Sequence, residues 1–206
     1  MRAVTRPARA AGFTMIEAMV VVAIAAVLAA VGVPAMTKWL LMRRAQAAAG
    51  YYVDGFQTAR NLAIEYNAAS RLVLTQNATS GQMEWRADVC FPTAATPCND
   101  KSGAWSTATV AVTDLYGRNM TSVTRSASGL PPASAMNVVL TGGVTATYFT
   151  PVGWLNTAAS QQLTRIQLDA VPSGRFPSAA VAVTLAGMAS RCTPGKSAPD
   201  RRACPS

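Results

Sequence analysis

The stretch that decides the fold is FTMIEAMVVVAIAAVLAAVGVPAMTK, residues 13–38. From Ala18 to Thr37 it runs for twenty residues without a charged side chain. At 1.5 Å per residue, a helix of about twenty residues spans about 30 Å, which is the thickness of the hydrocarbon core of a bilayer. We therefore expect a membrane-spanning helix over about residues 15–37.

The helical pattern continues beyond this apolar segment. Apolar residues recur at steps of three and four, as on one face of an amphipathic helix, at Tyr52, Phe56, Ala59, Ala63 and Tyr66. One helix is predicted over residues 13–67, apolar all round in its first half and amphipathic in its second. Pro34 is expected to bend it, because proline removes a backbone hydrogen bond inside a helix.

The remainder of the chain has the sequence pattern of a β-sheet domain. Short β-prone runs are separated by clusters of Gly, Pro, Asn and Ser, at residues 71–75, 83–90, 107–113, 137–140, 144–149, 164–168 and 179–185. We predict an α+β fold, in which the amphipathic half of the helix packs on one face of a mostly antiparallel sheet. The sheet domain is expected to cover residues 68–191, and residues 192–206 to form a basic loop or tail.

Composition argues against an enzyme. The chain has 206 residues, 18 Lys and Arg against 9 Asp and Glu, and no histidine, so it lacks His-based acid–base catalysis, Ser-His-Asp and Cys-His nucleophiles, and His-ligated metal sites. The carboxylates of the sheet domain show no metal-like spacing: Glu84, Asp88, Asp100, Asp114, Asp169 and Asp200. We expect no catalytic residue, no cofactor and no bound metal.

Four cysteines form two local pairs in the sequence. Their even number and spacing predict Cys90–Cys98 and Cys192–Cys204 disulfides, although four cysteines permit three connectivities. A zinc site is the alternative, but it usually requires closer CxxC-type spacing. Disulfides place the sheet domain in an oxidising compartment.

The junction between the basic residues 1–12 and the apolar run reads Gly12-Phe13-Thr14-Met15-Ile16-Glu17. It resembles the type III signal of the type IV pilin and pseudopilin superfamily, which has the pattern G, F, T, two apolar residues and E. The resemblance implies that a prepilin peptidase removes residues 1–12 after Gly12 and methylates the new N-terminal Phe13. Pro34 also lies where pilins commonly carry a helix-bending proline.

Glu17 fits this interpretation on physical grounds. A carboxylate in a membrane helix costs on the order of 2.5–3.5 kcal/mol at the centre and less near an end, so it is retained where it has a partner. The α-amine of Phe13 in a neighbouring parallel helix would be such a partner, which makes Glu17 a registry device for filament assembly. An ordinary secretory signal is the alternative, but its apolar core is shorter, about 7–15 residues.

Two inner segments narrow the resemblance to the GspH/FimT family of minor pilins. Ala59–Asn67, ARNLAIEYN, is similar to that family's stretch at the end of the helix, and Phe149–Gly153, FTPVG, to its F-x-P-x-G strand and turn. Gly187 and Arg191-Cys192 lie where members carry a glycine–arginine motif after the last strand. Each segment also reads as the plain end of a helix or strand, but their order behind the signal favours the family.

This resemblance implies a minor type IV pilin that takes part in pilus assembly. Its partners would be other pilin subunits, the prepilin peptidase and the inner membrane, which it would cross once with a periplasmic domain before entering the fibre at the cell surface. A GspH-like minor pseudopilin of a type II secretion system is the alternative.

A third interpretation is a pilus-tip receptor for DNA. Some FimT-like members are associated with DNA uptake through a C-terminal G-R-x-R motif, but here Met188 replaces its first arginine. The candidate phosphate contacts are Arg191, Lys196, Arg201 and Arg202, whose binding would weaken steeply with salt. We favour a solvated basic tail instead.

The tryptophans of the sheet domain are not expected to be functional. Trp85, Trp105 and Trp154 lie in or near strand-like runs, and we expect them in the core or on a sheet face.

Overall fold

The computed structural model describes residues 13–93, 96–197 and 199–205. The chain divides into two compact units, one ending at Leu40 and the other beginning at Leu41. Helix α1, Met15–Tyr66, belongs to both, since it contains the apolar segment and the amphipathic segment that follows it.

Within the described residues, ten strands follow α1, and every pair of strands is antiparallel. They are β1 Ala69–Gln76, β2 Met83–Cys90, β3 Val112–Thr113, β4 Asn119–Met120, β5 Val123–Arg125, β6 Met136–Leu140, β7 Ala146–Phe149, β8 Arg165–Ala170, β9 Ala179–Val183 and β10 Ala189–Cys192. A short 3-10 helix, Thr141–Gly143, joins β6 and β7. The α+β class is confirmed, with one long N-terminal helix followed by antiparallel sheets.

The strands form two four-stranded sheets and one hairpin. The first sheet has the order β5-β2-β1-β7, the second β10-β9-β8-β6, and β3 pairs with β4. The prediction named no second sheet and placed a strand over residues 107–113, of which only Val112–Thr113 is β-structure. A turn at residues 107–110 explains this, because Thr107 N donates to Val110 O at 2.9 Å and Val110 N donates to Thr107 Oγ1 at 2.9 Å. Asp114 and Gly117 then close the turn between β3 and β4.

The core lies between the second half of α1 and both sheets. The buried face of α1 carries Ala45, Ala48, Ala49, Tyr52, Phe56, Ala59 and Ala63, the spacing expected of an amphipathic helix. These residues share one apolar cluster with Leu72 of the first sheet and Ile166 of the second. Gly55 lets α1 approach Trp85 closely, since a Cβ there would lie 3.0 Å from the indole ring.

α1 ends where the sequence predicts, within one residue. Asn67 adopts a left-handed φ of 46°, and Ala68 N donates to Ala63 O at 3.1 Å while Asn67 N donates to Ile64 O at 3.3 Å. This is the Schellman arrangement, in which asparagine is a common substitute for glycine. The chain then turns directly into β1.

Two buried tyrosines of α1 are expected to make the stability of the domain depend on pH in the alkaline range. Tyr51 donates to Arg125 O at 2.6 Å, and burial raises its pKa to about 12; burial also raises the pKa of Tyr52. Because the unfolded chain releases these protons near pH 10 and the folded chain holds them, we expect stability to fall as pH rises from about 10 towards 12. Urea midpoints measured between pH 9 and 11 should decline, and less steeply for Tyr51→Phe. Equal slopes for both proteins would contradict this.

Candidate functional site

The N-terminal signal lies at the start of α1. Gly12, the residue before the expected cut, falls outside the described residues, whereas Phe13 is exposed. Thr14 caps the helix: Glu17 N donates to Thr14 Oγ1 at 3.3 Å, and Ala18 N donates to Thr14 O at 3.2 Å. This role was not predicted from the sequence, although Thr-x-x-Glu before an apolar run is the pattern of a capping box.

Glu17 occupies the first turn of α1. There the unpaired backbone N–H groups of the helix favour a negative charge. Its role in registry stays a prediction.

Every described residue from Phe13 to Trp39 is exposed in this structure. The segment is long and apolar enough to cross a membrane, by length and composition. Pro34 lies inside it, and Thr37 Oγ1 donates to Pro34 O at 2.9 Å. Exposed apolar surface of this extent is typical of segments that contact a membrane or another protein.

Both predicted disulfides are present. Cys90 bonds to Cys98 and Cys192 bonds to Cys204, so no described cysteine is free. The first closes the loop after β2, and the second closes the loop after β10.

The three inner segments that resemble the GspH/FimT family meet at one place. Arg60 of α1 donates from Nε to Gly153 O at 3.1 Å. Gly187 lies against both, because a Cβ there would be 2.0 Å from Gly153 O and 3.2 Å from Arg60 Nε. We call Arg60, Gly153 and Gly187 the motif junction.

The two glycines of the motif junction end turns with the same hydrogen bonds. In Thr150–Trp154, Gly153 N donates to Thr150 O at 2.8 Å and Thr150 N to Trp154 O at 2.8 Å. In Thr184–Met188, Gly187 N donates to Thr184 O at 2.8 Å and Thr184 N to Met188 O at 3.0 Å. Gly153 and Gly187 have φ of +79° and +75°, which glycine adopts without strain.

The four candidate DNA contacts are all exposed, and two of them also contact other residues. A Cβ at Gly50 of α1 would lie 2.7 Å from Arg191 Nη2, so Arg191 packs against the helix. Arg202 pairs with Asp200 at 3.1 Å, and their hydrogen bond lowers the pKa of Asp200 and raises that of Arg202. Lys196 and Arg201 are exposed on the same loop.

The tryptophans divide into buried and exposed. Trp85 is 3% exposed in the core, and Trp105 stacks against the Arg71 guanidinium at 4.5 Å. The expectation for Trp154 was wrong, because it is 60% exposed on its turn. The turn sequence Thr-Pro-Val-Gly before it was the available signal, since such a turn lies at the surface. Among the described residues, no three His, Cys, Asp or Glu side chains are grouped to hold a metal ion.

Comparison with known proteins identifies the signal. The family described as Prokaryotic N-terminal methylation motif matches residues 7–33. No curated protein and no solved structure matches the chain. The chain thus carries a prepilin-type methylation signal at the head of a helix able to cross a membrane, which supports a type IV pilin-like or pseudopilin protein.

Proposed function

We propose that the chain is a minor type IV pilin of the GspH/FimT kind, cut by the prepilin peptidase after Gly12, methylated at Phe13 and incorporated into a pilus or its priming complex. The observation that carries the proposal is the methylation signal at residues 7–33, which continues into an exposed apolar helix. Before assembly, that helix holds the chain in the inner membrane with the disulfide-bonded domain on the periplasmic side.

Glu17 supports an assembly role over simple anchoring. A plain anchor gains nothing from a carboxylate within its apolar helix, which costs free energy in a bilayer. In a bundle of parallel helices, the α-amine of a neighbouring Phe13 compensates that charge and fixes the register between subunits.

The motif junction supports the GspH/FimT assignment. Three segments that resemble that family, distant in the sequence, contact one another through Arg60, Gly153 and Gly187. Segments that each only end a helix or a strand need not contact one another. A role in which the chain performs no catalysis of its own agrees with the absence of histidine from its sequence.

A GspH-like pseudopilin of a type II secretion system is the runner-up. The two disulfides suit a domain exposed outside the cell, which favours the pilus. Deleting the gene separates the two: loss of surface fibres supports the pilus, and loss of exported proteins with fibres intact supports the secretion system. We do not extend the proposal to DNA, because Met188 replaces the first arginine of the G-R-x-R motif and Asp200 pairs with Arg202.

Two substitutions separate processing from assembly. Gly12→Ala should abolish cleavage, so that the chain keeps its leader and carries no methyl group on Phe13. Glu17→Ala should be cut and methylated normally but be missing from purified fibres, because the uncompensated partner amine no longer fixes the register. Intact-mass measurement of the chain from membranes and from fibres checks both results.

Gly32→Ala is the matched control. Gly32 lies in the same apolar part of α1 as Glu17, and a Cβ there meets no atom within 4 Å. It should be processed like the native chain. A trimmed and methylated Gly12→Ala chain would overturn the proposal.

A further inference from the structure

The two turns of the motif junction expose apolar side chains around their buried glycines. Val152 is 66% exposed, Trp154 60%, Leu185 70% and Met188 57%. We call these four residues the turn surface. Single exposed apolar residues are ordinary, but four large ones on two touching turns form a patch of the kind that binds proteins.

The turn surface is held rigidly. Leu155 N donates to Leu185 O at 2.9 Å, which joins the two turns directly. Arg60 fixes the first turn through Gly153 O, and Gly187 packs against the same carbonyl oxygen. A surface that is already ordered loses little conformational entropy on binding, so these contacts lower the free-energy cost of binding a partner.

An open depression of about 590 Å³ lies beside the turn surface, at one end of the second sheet. Leu155 and Leu185 form part of its wall, and Thr164 and Arg165 lie at the start of β8. Among the described residues, Arg165 is the only charged residue that lines it, and no ion pair engages its guanidinium. The described residues that line the depression therefore offer apolar groups, three threonines and one positive charge that none of their ion pairs engages.

Charge indicates what the depression accepts. From Leu41 onward the chain has fourteen Lys and Arg residues against eight Asp and Glu residues, a net charge of +6. A second copy would bring like charges together, which opposes association. An apolar side chain next to a carboxylate would fill the depression and pair with Arg165.

We propose that the turn surface and its depression dock a different pilin-like subunit, through a segment that carries an apolar residue beside an acidic one. This inference rests on the proposed function, because it takes the partner from the same assembly. It names which face of the domain receives the neighbour, in addition to the contacts of the apolar helices.

Site-specific photocrosslinking in cells tests the proposal on the full chain. Val152 is replaced by p-benzoylphenylalanine, and the adduct is identified by mass spectrometry. We expect an adduct with another protein that carries a prepilin-type signal, with acidic residues in the crosslinked peptide. Replacing Val139, 43% exposed on β6, provides the control position and should give little of this adduct.

Arg165→Glu tests the charge. It should lower the adduct yield at Val152 by about fivefold or more, as expected for loss of a paired charge at an interface. Arg175→Glu, an exposed cation that does not line the depression, should leave the yield unchanged. Equal yields for the two charge reversals would overturn the role of Arg165.

The same cells distinguish this inference from the proposed function. A mature, methylated chain whose Val152 probe crosslinks only to a second copy, to lipid, to nucleic acid or to nothing overturns the docking surface and leaves the proposed function standing. A chain that keeps residues 1–12 overturns the proposed function itself.

Discussion

Replacing Gly187 by alanine is expected to destabilise the sheet domain by about 4 kcal/mol, the sum of a backbone and a packing cost. A Cβ at this position would lie 2.0 Å from Gly153 O, a backbone atom that cannot move without separating the two turns. The residue also has a φ of +75°, which costs a non-glycine residue about 1–2 kcal/mol.

The chain supplies a matched control at Gly195. Gly195 has the same φ of +75°, but a Cβ there meets no atom within 4 Å. Gly195→Ala should therefore pay only the backbone cost of about 1–2 kcal/mol. The difference between the two variants isolates the contact at the motif junction.

Urea unfolding of the full chain in detergent, followed by tryptophan fluorescence, measures both variants. With a urea dependence of about 1–3 kcal/mol per molar, Gly187→Ala should lower the midpoint by about 2 M. Should that variant not fold at all, Arg60→Met provides a smaller loss of about 1.5–3 kcal/mol, because Gly153 O then loses a charged donor. Equal midpoints for Gly187→Ala and Gly195→Ala would show that the junction does not hold the turns together.

The helix could be predicted from sequence because its physical signals are local. The apolar run, the steps from Tyr52 to Phe56 to Ala59, and Asn67 at the end are all read within a few residues. The two disulfides were also predictable, because each pair closes a short loop, with 8 and 12 residues of separation. Strand β2, Met83–Cys90, was predicted at its exact bounds because its β-prone run is also a local signal.

What the sequence did not predict depends on pairing between distant segments. Strands β4, β5 and β10 are only two to four residues long, and they are strands because a neighbour pairs with them. The division into two sheets is likewise a property of the pairing order. The motif junction was foreseen only as three separate segments, and nothing local in Arg60, Gly153 or Gly187 says that they touch.

Asp88 is the clearest example of such a distant effect, and it was predicted only as one of several scattered carboxylates. The register of β1 and β2 places Arg71 directly opposite Asp88. Arg71 Nε donates to Asp88 Oδ2 at 2.8 Å, Arg86 Nε to Oδ1 at 2.6 Å, and Ser122 Oγ to Oδ1 at 2.6 Å. The Asp88 side chain is fully buried, while both arginines are partly exposed.

This buried carboxylate also positions the segment that follows the Cys90–Cys98 loop. Arg71, held by Asp88, stacks on Trp105, with 4.5 Å from the guanidinium to the ring centre. The backbone of Trp105 pairs with that of Cys90 in an isolated antiparallel β-bridge. Ser122 links Asp88 to Ser106 at 3.0 Å, and Ser106 accepts from Val89 N at 2.9 Å. Removing one carboxylate therefore breaks contacts on β1, on β2 and around Trp105 and Ser106 at once.

We expect Asp88→Ala to cost about 3–5 kcal/mol, because it leaves two arginines facing a buried site without a compensating charge. Asp88→Asn should cost less, since its amide oxygen still accepts hydrogen bonds from Ser122 and Arg86. Asp54→Ala is the control: Asp54 also pairs with an arginine, Arg125, but both side chains are about half exposed, and such pairs contribute about 0–1 kcal/mol.

The same urea titration ranks the three variants, with Asp88→Ala lowest, Asp88→Asn between, and Asp54→Ala near the native midpoint. Limited proteolysis adds a local measurement, because the loop between Cys90 and Trp105 should become cleavable in Asp88→Ala under conditions where the native chain resists. If Asp88→Ala and Asp54→Ala lowered the free energy of unfolding by the same small amount, burial of the Asp88 carboxylate would not be a source of stability. The first sheet would then depend on its apolar face alone.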